Sequence, residues 1–328
     1  MADKTRADVR RTRRPFSQKP PKVAQLSVSK KSLQKHDDEA LLKLLAGLER
    51  KVSQKDPNVL NSIITVANQL AQNVDHLPRT ITAFRKVAFH ASENSIEEEN
   101  ALKSILEHAV NLFSSEDVIE AFLLVIAYTP PSSTLGDEAS QRIVQHADVL
   151  PTADQSVDAF LQAADHATKE SDVALDAVEG VLRHAEALET HAEICEAILQ
   201  AAEYTPYGSF LRQQTAYLLF DHAGTLEIEE EKAEAFKAAS IYADPTSQLE
   251  KDSTKKYIQS VGQLPSKGQR TETFIRDLEL TDKDSQLYEE IKKELSKLGN
   301  VSILLEKQEK TKSRPKKRGK LIPFPQPS

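Results

Sequence analysis

The stretch EHAVNL at residues 107–112 returns as QHADVL at 145–150, RHAEAL at 183–188 and DHAGTL at 221–226, so a His-Ala pair recurs every 38 residues. In each copy a Leu follows the His by four positions and an aliphatic residue precedes it by three; those residues are Ile105, Ile143, Val181 and Leu219. Residues at such offsets share one face of an α-helix. The motif therefore predicts one amphipathic helix in each 38-residue period.

A second apolar pattern with the same period predicts another helix before each His-Ala helix. Its members, each preceded by an Ala, are Phe84, Phe122, Phe160, Ile198 and Phe236. An aromatic ring follows six residues later, at His90, Tyr128, His166, Tyr204 and Tyr242. Each period is then a helical hairpin. We call the helix with the Phe pattern the first helix of the repeat and the His-Ala helix the second.

A Ser also recurs where each second helix should begin: Ser95, Ser133, Ser171, Ser209, Ser247 and Ser285. A Ser hydroxyl at the start of a helix can accept a hydrogen bond from a backbone N–H that has no partner within the helix. We therefore expect each Ser to lie at, or within one residue of, the start of its helix. Ser95 with Glu98, and Ser247 with Glu250, also have the spacing of a capping box.

Clear copies of the hairpin fill residues 77–266. Weaker copies precede them at 39–76, where Leu70 takes the place of the His, and follow them at 267–304, where Leu298 does. Terminal repeats commonly diverge because they have a neighbour on one side only. The sequence thus predicts an all-α protein, an α-solenoid of about seven 38-residue helix-turn-helix repeats over residues 37–305, without β-sheet.

This pattern resembles the tetratricopeptide-like helical-repeat class. The resemblance covers roughly residues 37–305 and is one of class, because a tetratricopeptide unit has about 34 residues and a Trp/Gly/Tyr signature, whereas this chain has no Trp. It implies stacked hairpins that present an extended surface to another protein.

The net charge of −7 is divided unevenly along the chain. Residues 1–35 carry +9 and residues 306–328 carry +6, which leaves −22 for residues 36–305. We therefore predict an acidic repeat domain at 37–305 between disordered basic tails at 1–36 and 306–328. The clusters RRTRRP and RPKKRGK hold the candidate phosphate-binding or nuclear-address residues, which are Arg10, Arg11, Arg13, Arg14, Lys316, Lys317, Arg318 and Lys320.

The recurring His residues have a structural and a metal-binding interpretation. An imidazole near the end of a helix can hydrogen-bond to a neighbouring turn, and we expect one tie per repeat to the turn that follows. Zinc needs several ligands about 2 Å from one ion, whereas neighbouring helices stand about 8–10 Å apart. We therefore predict that the set His108, His146, His184 and His222 is a structural ladder, with no metal site and no cofactor.

Other side chains give no indication of catalysis. Cys195 is the single cysteine and lies in the apolar column of Ile119 and Val157, so we interpret it as a core residue rather than a nucleophile. The sequence contains no glycine-rich phosphate loop, no Cys/His metal spacing and no Ser-His-Asp signature. We therefore expect that the chain is not an enzyme.

The favoured functional hypothesis is a non-catalytic scaffold or adaptor that binds a partner protein on the repeat surface. The charge of −22 favours a basic partner or one with a basic peptide. The alternative is a nucleic-acid-associated protein, or a secreted effector, whose basic tails contact phosphates or carry a nuclear address. With no run of about 18 apolar residues we expect no membrane span, and we expect a cytoplasmic location, with the nucleus as the alternative.

Removal of both tails separates these hypotheses. Nucleic-acid binding, where it occurs, should be weak, should fall steeply with salt, and should be lost in a chain of residues 36–305, because the acidic repeats repel phosphates. Fluorescence anisotropy with a labelled DNA duplex at two salt concentrations measures this. Strong binding by residues 36–305 alone would contradict the prediction.

Overall fold

A computed structural model describes residues 38–299 of the chain, which form α-helices joined by short turns. The α-helices are α1 (Asp38–Glu49), α2 (Pro57–Leu70), α3 (Leu77–His90), α4 (Ile96–Ala109), α5 (Ser115–Tyr128), α6 (Thr134–His146), α7 (Ala153–His166), α8 (Asp172–Ala185), α9 (His191–Ala202), α10 (Phe210–Ala223), α11 (Glu229–Tyr242), α12 (Gln248–Gln263), α13 (Lys267–Leu280) and α14 (Gln286–Leu298). Short 3-10 helices cover Val52–Gln54, Val74–His76 and Ala147–Val149.

The predicted fold class is confirmed for these residues. Fourteen α-helices alternate as first and second helices of seven hairpins, and residues 38–299 contain no β-strand. The predicted tails, with all eight of their candidate basic residues, lie outside the described part of the chain. The predicted limits of the repeat domain, 37 and 305, also lie beyond it and stay a prediction.

All six Ser residues occupy the predicted cap position, one residue before α4, α6, α8, α10, α12 and α14. Each hydroxyl accepts a hydrogen bond from the backbone N–H three residues later, at 3.1–3.3 Å. The predicted capping boxes differ in detail. The Glu98 carboxylate accepts the backbone N–H of Asn94, one residue before Ser95, and Glu250 accepts that of Thr246.

The residue before the Ser cap has a left-handed backbone in five successive repeats. These residues and their φ angles are Asn94 (60°), Ser132 (58°), Glu170 (61°), Gly208 (73°) and Thr246 (67°). A positive φ at the third position is typical of a type II turn, and the Ser95 N–H closes such a turn on the Ser92 carbonyl at 3.1 Å. Only one of the five is a glycine, although a left-handed residue with a side chain costs about 1–2 kcal/mol.

The described residues divide into two compact units, the first ending at Thr215 and the second beginning at Ala216, so the boundary lies inside α10. In the first unit each first helix contacts the first helix of the next repeat, from α1 through α3, α5 and α7 to α9. Each second helix likewise contacts the next second helix, from α2 through α4 and α6 to α8. In the second unit α12 packs against α11 and α14. Its core includes Ala216, Ala243 and Leu249, against which Phe220 and Tyr242 pack.

The first repeat is one residue out of step with the 38-residue period. Helices α1 and α2 begin 39 residues before α3 and α4, whereas α5 and α6 begin 38 residues after them. Gln69, rather than Leu70, therefore holds the place of His108 in the first repeat. The prediction that Leu70 takes the place of the His, which rested on an exact 38-residue period, is therefore wrong.

Helix α8 approaches the first helix of its own repeat so closely that it needs a glycine. A Cβ added at Gly180 would lie 2.5–2.6 Å from ring atoms of Phe160, which is 1% exposed. By contrast, a Cβ added at Gly47 in α1 meets no heavy atom within 4 Å.

We predict that Gly180→Ala destabilises the protein, because overpacking costs about 1–3 kcal/mol and outweighs the gain of about 1 kcal/mol in helix propensity. Gly47→Ala should stabilise the protein, since it brings the same gain in helix propensity and its added methyl group meets no other atom. Urea unfolding of both variants and the parent measures the two effects. A stabilised Gly180→Ala variant would show that the contact with Phe160 is looser than described.

Candidate protein-interaction surface

The recurring His residues lie against the phenylalanines of their own repeats. The ring centroids are 6.0 Å apart for Phe84 and His108, 6.0 Å for Phe122 and His146, and 5.8 Å for Phe160 and His184. His108 is buried, whereas His146, His184 and His222 are half-buried. Each of the three pairs thus joins the first and second helix of one hairpin, a contact that the sequence did not predict.

Two of these imidazoles also tie neighbouring repeats together. The His108 Nε2 atom lies 2.9 Å from Asn68 Oδ1 in α2, and the His184 Nε2 atom lies 2.9 Å from Asp148 Oδ1 after α6. Both partners belong to the preceding repeat. The expected direction, toward the following turn, is therefore wrong for His108 and His184. Desolvation raises the pKa of the Asp148 carboxyl, but the hydrogen bond from His184 and the charge of Arg183 together lower it below its ordinary value.

The described residues contain no group of three or more His, Cys, Asp or Glu side chains that could hold a metal ion. Cys195 is buried in α9, in the column of Ile119 and Val157. Within the same residues, no helix is both long and apolar enough to cross a membrane.

The first helices expose a column of carboxylates that follows the 38-residue period. Its members in the first compact unit are Glu120, Asp158 and Glu196, and those in the second are Glu234 and Glu272. All five are exposed. Their regular recurrence places one acidic side chain at the same position of five successive first helices.

Negative charge without compensating Lys or Arg is found on α5, α7 and α9, which contact one another in sequence. These three helices contain no Lys or Arg, and all of their carboxylates are exposed: Glu116, Asp117, Glu120, Asp154, Asp158, Asp165, Glu193 and Glu196. Three residues after each of the column's first three members comes a half-buried Leu: Leu123, Leu161 and Leu199. We call these eleven residues the acidic face.

A groove separates α3 from α5 at one end of the acidic face. Its volume is about 200 Å³, and its apolar lining includes Ile81, Leu112 and Leu124. The Arg85 guanidinium of α3 crosses it and lies 3.7 Å from the Glu120 carboxylate of α5. Both side chains are exposed, so this ion pair contributes little to stability, but it shows that a cation fits between adjacent first helices.

Asp154 and Asp158 of α7 lie one helical turn apart and repel each other. Although Asp158 is exposed, desolvation of its carboxyl, and then the charge of Asp154, raise its pKa. At the end of the same helix the hydroxyl of Tyr204, in the turn after α9, donates a hydrogen bond to Asp165 at 2.9 Å. Burial, and then Asp165, raise the pKa of Tyr204. A cationic side chain from a partner would relieve the repulsion between Asp154 and Asp158.

Two further aromatic rings are exposed where α10 begins. Tyr207 is 77% exposed and Phe210 is 84% exposed, and the Arg212 guanidinium lies 5.5 Å from the centre of the Tyr207 ring. Aromatic residues are enriched at the centres of protein interfaces. They add apolar contact area to the first compact unit.

No protein-family model and no curated protein matches the sequence. Among solved structures, a chain described as "Computational Design of Self-Assembling Cyclic Protein Homooligomers" is 18% identical and is aligned over 84% of this chain and 88% of that one. Its TM-score is 0.15, so it carries no argument about the fold. The class of protein is defined by the helices themselves: an all-α protein of 38-residue helical hairpins.

The buried His108 should make stability depend on pH. Desolvation lowers the pKa of its imidazole below the ordinary 6.5, more than the charge of Glu107 raises it. The unfolded chain therefore binds a proton more readily, and stability is lost as the pH falls below 6.5 toward the folded pKa. We predict that His108→Leu unfolds in urea with a smaller loss of stability between pH 7.5 and 5.5 than the parent. An unchanged pH dependence would contradict this role.

Proposed function

We propose that this protein is a non-catalytic scaffold that binds a basic partner protein on the acidic face. The observation that carries the proposal is the set of three adjacent first helices with eight exposed carboxylates and no Lys or Arg. A surface of one charge sign raises the rate of encounter with a partner of the opposite sign. A cytoplasmic location is part of the proposal.

The leucines of the acidic face support binding of a protein segment rather than of free cations. Leu123, Leu161 and Leu199 lie one helical turn from the carboxylates of the column, on the same side of each helix. Long Lys and Arg side chains bury their aliphatic stems on apolar surface while the charged end stays at a polar group. A Lys or Arg side chain of a partner could therefore pack its aliphatic stem on a Leu and place its charge beside the neighbouring carboxylate.

The second candidate function is association with nucleic acid through the basic tails, as a nuclear protein or a secreted effector. It is favoured by the charges of +9 and +6 at residues 1–35 and 306–328. The acidic face would repel phosphates, so this function would not use the repeats.

A pair of matched full-length variants tests the scaffold proposal. Asp158→Asn with Glu196→Gln removes two charges from the acidic face. Asp176→Asn with Glu179→Gln removes two exposed charges from the second helix α8 and serves as the control. The probe is a labelled peptide with an Arg at every third position, measured by fluorescence anisotropy at low salt.

We predict that the face variant binds the peptide about fivefold to tenfold more weakly than the parent, since an exposed ion pair contributes about 0.2–1 kcal/mol. The control should change binding less than twofold. The melting temperature of the face variant should be unchanged or higher, because the ionised Asp158 carboxylate is disfavoured in the folded state. Equal weakening in both variants, or no binding by the parent, would contradict the proposal.

A further inference from the structure

We propose that residues 301–305, VSILL, dock within the same molecule on a groove of helix α13. Groove and segment both belong to the second compact unit, and the inference does not depend on the acidic face or on the proposed function. The docked segment gives the last repeat the apolar cover that earlier repeats receive from the next first helix.

The groove lies along α13 and has a volume of about 630 Å³. Among the described residues its lining comes from α13 alone and includes Gly268, Thr271, Glu272 and Ile275. We call these four residues the α13 groove. Thr271 and Ile275 are half-buried, whereas Gly268 and Glu272 are exposed. A groove lined by one helix leaves room for a second wall.

The first compact unit shows what forms the second wall of the corresponding groove. Five 38-residue periods before the α13 groove residues stand Pro78, Ile81, Thr82 and Arg85 of α3. These four residues form one wall of the groove between α3 and α5, and the other wall comes from Leu112 and from α5, which follow α4 in the chain. Leu112 lies three residues after the end of α4, as Val301 does after the end of α14. By analogy, the chain that follows α14 should form the second wall on α13.

The segment can reach this groove because α14 ends beside the start of α13. The two helices have 14 and 13 residues, contact each other and are joined by a short turn. At 1.5 Å per residue they are about 21 and 20 Å long, so the end of α14 returns to the level of Lys267. Gly299 ends α14 with a φ of 80°, a conformation that glycine adopts without steric cost. From Gly299 to Leu304 the chain can span about 17 Å, whereas packed helices stand about 8–10 Å apart.

The segment also carries the apolar side chains that such a contact requires. Four of the residues 301–305 are Val, Ile or Leu, whereas residues 306–320 contain no Val, Ile, Leu, Phe or Tyr. Val301, Leu304 and Leu305 have offsets of 0, 3 and 4, which share one side of a helix. The segment is therefore the apolar stretch nearest to the α13 groove along the chain.

A single Trp reports the docking, because the chain contains none. Leu304→Trp places the reporter in the segment, and Leu321→Trp places it in the next apolar stretch as a matched control. The measurement is the Stern–Volmer constant for quenching by acrylamide in the full-length chain at two protein concentrations, with the oligomeric state followed by light scattering. Each reporter is then combined with Ile275→Glu in the groove or with Ile258→Glu, which changes another half-buried isoleucine of the second unit.

We expect the quenching constant of Leu304→Trp to be about threefold smaller than that of Leu321→Trp and independent of protein concentration. Ile275→Glu should raise the constant of the Leu304→Trp chain about twofold or more, because a carboxylate disfavours apolar contact, and Ile258→Glu should leave it nearly unchanged. Equal quenching of the two reporters, or an equal rise with both Glu variants, would overturn the inference. Protection that appears only as dimers form would also overturn it, since the occupant would then be a second copy.

Amide hydrogen exchange of the unsubstituted chain checks the result without a Trp in the segment. After correction for intrinsic rates, the amides of residues 301–305 should exchange about tenfold more slowly than those of residues 316–322. Ile275→Glu should abolish this difference. Equal exchange of the two stretches in the parent chain would contradict the docking. Neither outcome concerns peptide binding by the acidic face, so the scaffold proposal stands or falls separately.

Discussion

An imidazole packed against a buried phenylalanine is the interaction on which the repeat structure depends. In three successive hairpins it joins the second helix to the first, and at His108 and His184 the far side of the same ring reaches the preceding repeat. A leucine could fill the same space but could not make the polar contact. One side chain therefore serves both the packing within a hairpin and the link between hairpins.

The 38-residue period organises both the core and the exposed surface of the repeats. The Phe and His-Ala columns face inward and build the core, whereas the carboxylate column on the first helices faces solvent. Because the Phe column is buried and the carboxylate column of the same first helices is exposed, the acidic face can change its charges without loss of packing. This separation explains why a protein with so regular a core can present a surface specific to a few of its repeats, α5, α7 and α9.

The features that depend on local chemistry could be predicted from the sequence. The helix type, the hairpin order and the six Ser caps follow from periodicity and from hydrogen-bonding needs within a few residues. The partners of His108 and His184 could not be predicted, because they depend on which end of one hairpin lies beside the next. The left-handed turns were also missed, since Ser132, Glu170 and Thr246 give no sign of positive φ. The acidic column follows the 38-residue period of the sequence, but a net charge does not show at which positions the carboxylates recur.

The most direct test of the His ladder is a double-mutant cycle on the partly buried contact between His108 and Asn68. The free energy of unfolding in urea is measured for the parent, His108→Leu, Asn68→Ala and the double variant. If the hydrogen bond ties the two repeats together, the two single variants should lose more stability in sum than the double variant does. The difference, the coupling energy, should be about 1 kcal/mol. Losses that add to within about 0.3 kcal/mol would contradict the account, because the His column would then act only by filling space.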